Sequence, residues 1–477
     1  MMASSWSLFL PSLSNLQISS FKIQDIVESI TDIFSGRPTQ THDAWLSVTD
    51  SRTGKSYNIP IEHNAVRAND FRQIQGNKVG NRADYMDGGL KVLDPGYQNT
   101  AVVESAITLI DGKRGSIHFR GYSLDELVEK NDWEEVVYLI NWGYLPTLQE
   151  KLEFRRALAA HMEAPQAVVD VIRALPRDAL VSSMIHAGLA AFASCDEGSR
   201  QLHGSSKAFY LGNMSNVDSA IVRTLSALAV TIALTHCHKR DIEFTVADPN
   251  ESFIGNVLLM MGFSKNGKPD AKIERCFEKL WVLYADHEMT NSTSAFLHAS
   301  SSLTDPISAL SAGIVCGYGP LHAAAIECAY DDFERMGSPE NVPAFIEDVK
   351  AKKQRLFGYG HRIYKAVDPR AKWIQAMVEE NRDLVYSNPM LKIALEIDRI
   401  ASTDSYFTSR NLKVNCDLYG CFLYTAMGFD TDIIVAMASL SRTGGLMAHW
   451  REAMQEKPCI WRPQQIYTGY RAPATKP

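Results

Sequence analysis

The chain has eight cysteines in 477 residues, at 195, 237, 276, 316, 328, 416, 421 and 459, and no Cys-x-x-Cys pair. That scatter excludes a disulfide framework and fits buried thiols in a reducing compartment. The triplet His236-Cys237-His238 has no second ligand pair at a usual spacing, so no metal is expected. Excess positive charge is also missing: 48 Lys and Arg face 55 Asp and Glu, for a net charge of −7. No nucleic-acid partner is expected, and a polyanionic ligand has to be met by a local basic pocket. There is no repeat of solenoid length and no obvious flexible linker. Residues 307–326 lack any charge, a run long enough to cross a bilayer. They contain Gly, Pro and His and are rich in Ala and Ser, so they read as a small-residue helix packed in a core or subunit interface, not as a membrane segment.

The first forty or so residues look like a separate leader. Lys22 and Arg37 are their only basic residues, with Asp25, Glu28 and Asp32 between them. Mitochondrial leaders are Arg-rich and poor in acids, and no secretory pattern or Ser-Lys-Leu ending is present. The cytoplasm is the default expectation, with mitochondrion and peroxisome left open.

What is present is an ordinary globular composition, 45% hydrophobic and 22% charged, in a chain long enough for two or more domains. "WLSVTDSRTGKSYNIPI" (45–61) alternates around Thr53-Gly54-Lys55 and reads as a β-hairpin. Helices dominate afterwards. Ser123-x-x-Glu126 and Asp132-x-x-Glu135 each resemble a capping box before an apolar run. The stretch from Arg223 is apolar nearly all round, as in a buried helix.

Four short strings and two arginines carry chemistry. "GYGHRIYKAVDPR" (358–370) sets His361 after Gly358 and Gly360, where backbone can turn tightly or approach a ligand, and adds Arg362, Lys365 and Arg370. "YADHEMTNSTS" (284–294) holds His287 between Asp286 and Glu288, and "GYGPLHAAAIE" (317–327) puts His322 just past Gly319-Pro320. "NLKVNCDLYG" (411–420) presents Asp417. Arg442 and Arg462 stand near the C-terminus. Taken singly, each residue also suits a structural role: a core histidine, a capping aspartate, a solvated arginine. Together, a carboxylate base, hydrogen-bond donors and an arginine clamp suit carbon–carbon bond formation on an anionic substrate.

These strings, in this order, resemble citrate synthase, from about Trp45 to Tyr470. "GYGHRIYKAVDPR" is similar to that family's signature, and "DGKRGSIHFRGYSLDELVEKNDWEEVVYLINWGYLPT" (111–147) resembles its large-domain opening. The hairpin resembles the bacterial-type branch. The resemblance implies an all-α, two-domain fold: a leader (1–44), a β-hairpin (45–64), a large helical domain (65–321 and 429–470), a small one (322–428) and a tail (471–477). It implies that Asp417 removes a proton from the α-carbon of an acyl-CoA while His322 hydrogen-bonds the thioester oxygen. His361 would polarise the keto oxygen of oxaloacetate and supply its proton. Arg370, Arg442 and Arg462 would clamp the carboxylates, with His287 as a further contact. Arg462 would reach across from a second subunit, so a homodimer or higher homo-oligomer is implied. Leu356, Phe357, Gly358, Tyr359 and Gly360 would border the CoA adenine, with Lys365 near its phosphates. No cofactor is implied; the CoA thioester is a substrate.

The departures bear on that substrate. After His322 the family usually has Gly-Gly-Ala-Asn; here the string is Ala323-Ala324-Ala325-Ile326. Four residues before Arg442 it commonly has Phe near the acetyl end; here it is Ala438. The usual His-Pro-Met is Leu180-Val181-Ser182, and the second arginine of Arg-Pro-Arg is Gln464. Losing a Phe ring opens an acyl pocket at Ala323 and Ala438, removing on the order of 150 Å2 of buried surface. Each methylene that refills it is worth about 0.8 kcal/mol. The expectation is an alkylcitrate synthase of specialised metabolism, taking an acyl chain longer than acetyl. An ordinary citrate or 2-methylcitrate synthase is the alternative, and a non-catalytic ligand sensor a remote one.

Overall fold

The computed structural model describes residues 44–76, 88–202, 208–455 and 459–469; the expected leader and tail lie outside them, save for residue 44. The chain divides into two units at Val103/Glu104.

The first unit contains the expected hairpin. Strands Trp45–Asp50 and Lys55–Pro60 pair antiparallel from Asp50↔Lys55 to Trp45↔Pro60. Hydroxyl and amide side chains match across one face, Ser47 to Asn58 at 3.0 Å and Thr49 to Ser56 at 2.9 Å.

The second unit opens with a three-stranded antiparallel meander, Thr108–Asp111, Ser116–Phe119 and Tyr122–Ser123. It then becomes helical. Ser123 caps helix Leu124–Lys130 through Glu126 N, and Asp132 forms the full reciprocal box with Glu135 at the start of Trp133–Trp142. Helix Met214–Arg240 runs 27 residues and is buried from Thr224 to Cys237 without a break. By length and composition it could span a membrane, yet 83% of its most apolar window is buried inside the protein. Trp133, stacked on Phe253 at 4.6 Å and edge-on to Trp281 at 5.6 Å, marks the middle of the core.

The uncharged run 307–326 is not one helix. It forms Pro306–Gly317, then turns, then the first residues of Ala325–Met336. The break falls at Gly317–Ala324, where Tyr318-Gly319-Pro320 punctuates the run and sets His322 in a turn.

The last helix, Ile434–Gln455, packs on Met214–Arg240 and Trp133–Trp142. At Gly445 it presses against the end of helix Ala271–Tyr284: a Cβ there would lie 2.5 Å from the Ala285 carbonyl oxygen. Only a hydrogen fits, and the close approach seats Arg442 one turn earlier beside Tyr284.

Candidate active site

Two segments far apart in sequence zip together to hold the site. Residues 358–360 run antiparallel to 413–415, with a bridge between Tyr359 and Val414. Gly360 N donates to Lys413 O at 2.7 Å and Asn415 N to Gly358 O at 3.0 Å. Gly358 and Gly360 have φ of +84° and +85°, the left-handed region that favours glycine. A Cβ on Gly358 would lie 2.8 Å from Leu418 Cβ, and one on Gly360 2.9 Å from Leu412 Cδ2. The close neighbour these glycines admit is therefore the chain itself. The zipper leads directly into His361 on one side and Asp417 on the other.

His361 is partly buried. Its Nδ1 accepts the backbone N–H groups of Ile363 at 3.1 Å and Tyr364 at 3.4 Å. The neutral ring therefore carries its proton on Nε2. Burial, with Arg370 adding to it, lowers the pKa to about 4, so a neutral imidazole is the donor at working pH.

Asp417 is the first residue of helix Asp417–Ala426. A helix N-terminus favours carboxylate, but burial outweighs it and raises the pKa to about 6. Arg370 pulls this value down and Asp368 pushes it up. The Cys416 thiol lies 3.5 Å from Asp417 Oδ1, within hydrogen-bonding reach for sulfur.

His287 is buried, and its Nε2 meets the Tyr364 hydroxyl at 2.8 Å. Its ring lies 5.4 Å from that of His361. Burial, then Arg370, Arg442 and His361, push its pKa well below the usual value.

Arg370 is buried and forms a bidentate pair with Asp368, Nε to Oδ1 at 3.0 Å and Nη2 to Oδ2 at 2.8 Å. That pair occupies one edge of the guanidinium and leaves the Nη1 end for a ligand. Tyr284 touches both arginines: its ring lies 5.7 Å below Arg370, and its carbonyl accepts from Arg442 Nε.

His322, in the turn before Ala325–Met336, has Nδ1 at 3.3 Å from the buried Ser292 hydroxyl. With Ser292 donating, its proton sits on Nε2. Burial and then Arg442 lower its pKa to about 4. Ala323 follows directly, and Ala438 lies buried one helical turn before Arg442.

The remaining sequence candidates stand apart from this cluster. Arg462 is exposed on the irregular stretch 459–469, which is tied down where Trp461 N donates to Ser301 Oγ at 3.0 Å. Lys365 is exposed, while its backbone N–H bonds Gly112 O at 2.8 Å. Leu356 is buried, and Phe357 carries the Arg355 guanidinium 5.4 Å above its ring. Tyr359 gives its hydroxyl to Asp398, which also accepts from Tyr419 at 2.8 Å. Among the described residues, no group of three or more His, Cys, Asp or Glu is placed to hold a metal ion.

Sequence reasoning missed Tyr364, Asp368, Ser292, Asn415 and the contacts of Tyr284. All five lie inside the strings that drew attention, and their presence there was the available signal.

The arrangement can take a proton at Asp417, donate hydrogen bonds from two neutral imidazoles and hold carboxylates at two buried arginines. Comparison with known proteins gives the family. The family model described as citrate synthase, C-terminal domain, matches residues 96–464. A citrate synthase-like protein of Aspergillus oryzae, oryE, is 44% identical over 427 residues, 89% of this chain and 95% of its own. The alkylcitrate synthase tstJ of Talaromyces stipitatus is 38% identical, over 90% of this chain and 95% of its own. The glyoxysomal citrate synthase of Cucurbita maxima is 34% identical, over 91% and 83%. Among solved structures, the citrate synthase of Thermoplasma acidophilum, in ternary complex with carboxymethyl coenzyme A and oxaloacetate, superimposes with a TM-score of 0.71 at 27% identity. That match covers 80% of this chain and 97% of the other.

Proposed function

Since the chain belongs to the citrate synthase family, whose members condense an acyl-CoA with oxaloacetate, we propose that it makes an alkylcitrate from an acyl-CoA longer than acetyl. The observation that carries the reaction is the cluster itself: the rings of His287 and His361 lie 5.4 Å apart, Tyr284 touches both Arg370 and Arg442, and Asn415 joins the His361 peptide to Asp417.

Asp417 takes the α-proton of the thioester. Its pKa of about 6 keeps it ionised at neutral pH while leaving it basic enough to work. His322 donates from Nε2 to the thioester oxygen as enolate charge develops there. The enolate carbon attacks the keto carbon of oxaloacetate, and His361 gives its Nε2 proton to the keto oxygen. Arg370 and Arg442 hold the carboxylates, with His287 beside them and Arg462 supplied by a second copy of the chain. Segment 356–360 and Lys365 border the CoA. A small domain, 322–428, closes over the ligands and keeps water out until the new bond has formed. Hydrolysis of the thioester then releases CoA and makes the sequence effectively irreversible.

The chain-length reading is supported by Ala438 and by the alkylcitrate synthases among the relatives. Citrate synthases stand among them too, which keeps acetyl or propionyl as the second reading. The test is thiol release with oxaloacetate and acyl-CoAs from acetyl to decanoyl. A maximum kcat/KM at six carbons or more is expected. A maximum at acetyl or propionyl gives the second reading, and no release from any thioester removes the enzymatic one.

A further inference from the structure

Between the two segments of the zipper sits an amide that the reaction scheme does not use. Asn415 is buried, 8% exposed, and both ends of its side chain are engaged. Its Oδ1 accepts the backbone N–H of Asp417 at 2.9 Å, and its Nδ2 donates to the carbonyl of Gly360 at 2.9 Å. Gly360 O and His361 N belong to the same peptide. One side chain therefore spans from the peptide that carries His361 to the first amide of the helix that carries Asp417.

We propose that Asn415 is a positioning residue that fixes the separation of the Asp417 carboxylate and the His361 imidazole. This rests on the reading of those two groups as base and acid. The chemistry of the site leaves few substitutes. The first N–H groups of a helix have no partner within it, and Cys416, in the capping position, makes no side-chain bond to any of them. Asn415 provides it from one residue earlier. A carboxylate there accepts from Asp417 N but opposes the Gly360 carbonyl; a hydroxyl is too short to reach both; an alkyl group leaves both backbone groups buried and unpaired. Because the two reacting groups act on opposite partners of one bond-forming step, a shift of about 1 Å between them costs on the order of 100-fold in rate.

The experiment compares Asn415→Ala and the isosteric Asn415→Asp with wild type, using oxaloacetate with acetyl-CoA and with hexanoyl-CoA. Asp417→Ala and His361→Ala serve as references. The expected result for Asn415→Ala is a kcat lower by about 10- to 100-fold with the KM for oxaloacetate within about threefold, since Arg370 and Arg442 make no bond to Asn415. Asn415→Asp, which keeps the volume and one of the two bonds, falls between Ala and wild type. If both Asn415 variants fold and keep kcat within twofold while Asp417→Ala and His361→Ala each lower it by about 100-fold or more, the positioning role is wrong and the catalytic assignment stands. If Asp417→Ala itself turns over normally, the underlying assignment is wrong whatever Asn415 does. A lower Tm at unchanged kcat marks Asn415 as structural only and overturns the proposal.

Discussion

Ile363 donates its backbone N–H to Nδ1 of His361 at 3.1 Å, and this bond within the loop decides which ring nitrogen holds the proton. The ring then presents Nε2–H, and burial keeps it neutral by lowering its pKa to about 4. Replacing His361 with Ala removes the donor for the keto oxygen but leaves the enolising groups in place. Turnover is expected to drop by about 10²- to 10⁴-fold. Exchange of the thioester α-protons into heavy water, with malate filling the oxaloacetate site, is expected to continue. Loss of that exchange along with turnover would show that His361 acts on the thioester instead.

The base sets the acid limb of the activity profile. Asp417 works as carboxylate, and burial raises its pKa to about 6. kcat/KM is therefore full above that value and lost as pH falls through it, with a midpoint near pH 6. The neighbouring histidines protonate near pH 4, too low to produce this limb. A plateau extending below pH 5 would count against Asp417 as the base.

Gly112, in the turn between strands Thr108–Asp111 and Ser116–Phe119, supports the His361 loop from below. A Cβ there would lie 2.5 Å from the Ile363 carbonyl oxygen and 2.9 Å from its Cγ2. Gly112→Ala is expected to displace the loop and lower kcat by about tenfold or more, with the helical circular-dichroism spectrum retained. Unchanged kinetics would mean the loop gives way without moving His361.

Ala438→Phe refills the space beside the acyl group. Four methylenes separate hexanoyl from acetyl, about 3 kcal/mol of burial, so the ratio of kcat/KM for the two thioesters is expected to fall roughly 100-fold. An unaltered ratio would place the chain elsewhere.

Arg462 is exposed, and the proposal gives it to a neighbouring subunit's site. His361→Ala and Arg462→Ala proteins, each inactive alone, are expected to regain activity when unfolded together and refolded. Each mixed dimer then holds one complete site. No recovery would mean that Arg462 serves its own subunit or none.

Much of this was legible in the strings themselves. The hairpin at 45–61, the Asp132–Glu135 box and the buried helix from Arg223 follow from local periodicity and capping, which do not depend on distant residues. His322, His361 and Asp417 stood out because each sits at a turn or helix start among glycines or small residues. The break at Gly317–Ala324 was obscured by the absence of charge, which let one apolar run look like one helix. The role of Gly358 and Gly360 was half visible: the need for close approach was plain, but Leu412 and Leu418 come more than fifty residues later. Asn415, Tyr364 and Asp368 lay in the right strings, yet their meaning depends on partners that only packing supplies.

The zipper of 358–360 with 413–415 ties the loop that carries His361 to the helix that carries Asp417, although more than fifty residues separate them along the chain. Whatever moves one of these segments carries the other along. On the proposed reading the acid and the base therefore travel as one body when the protein breathes, and thermal motion alters their separation less than it alters the distance of either to the rest of the chain.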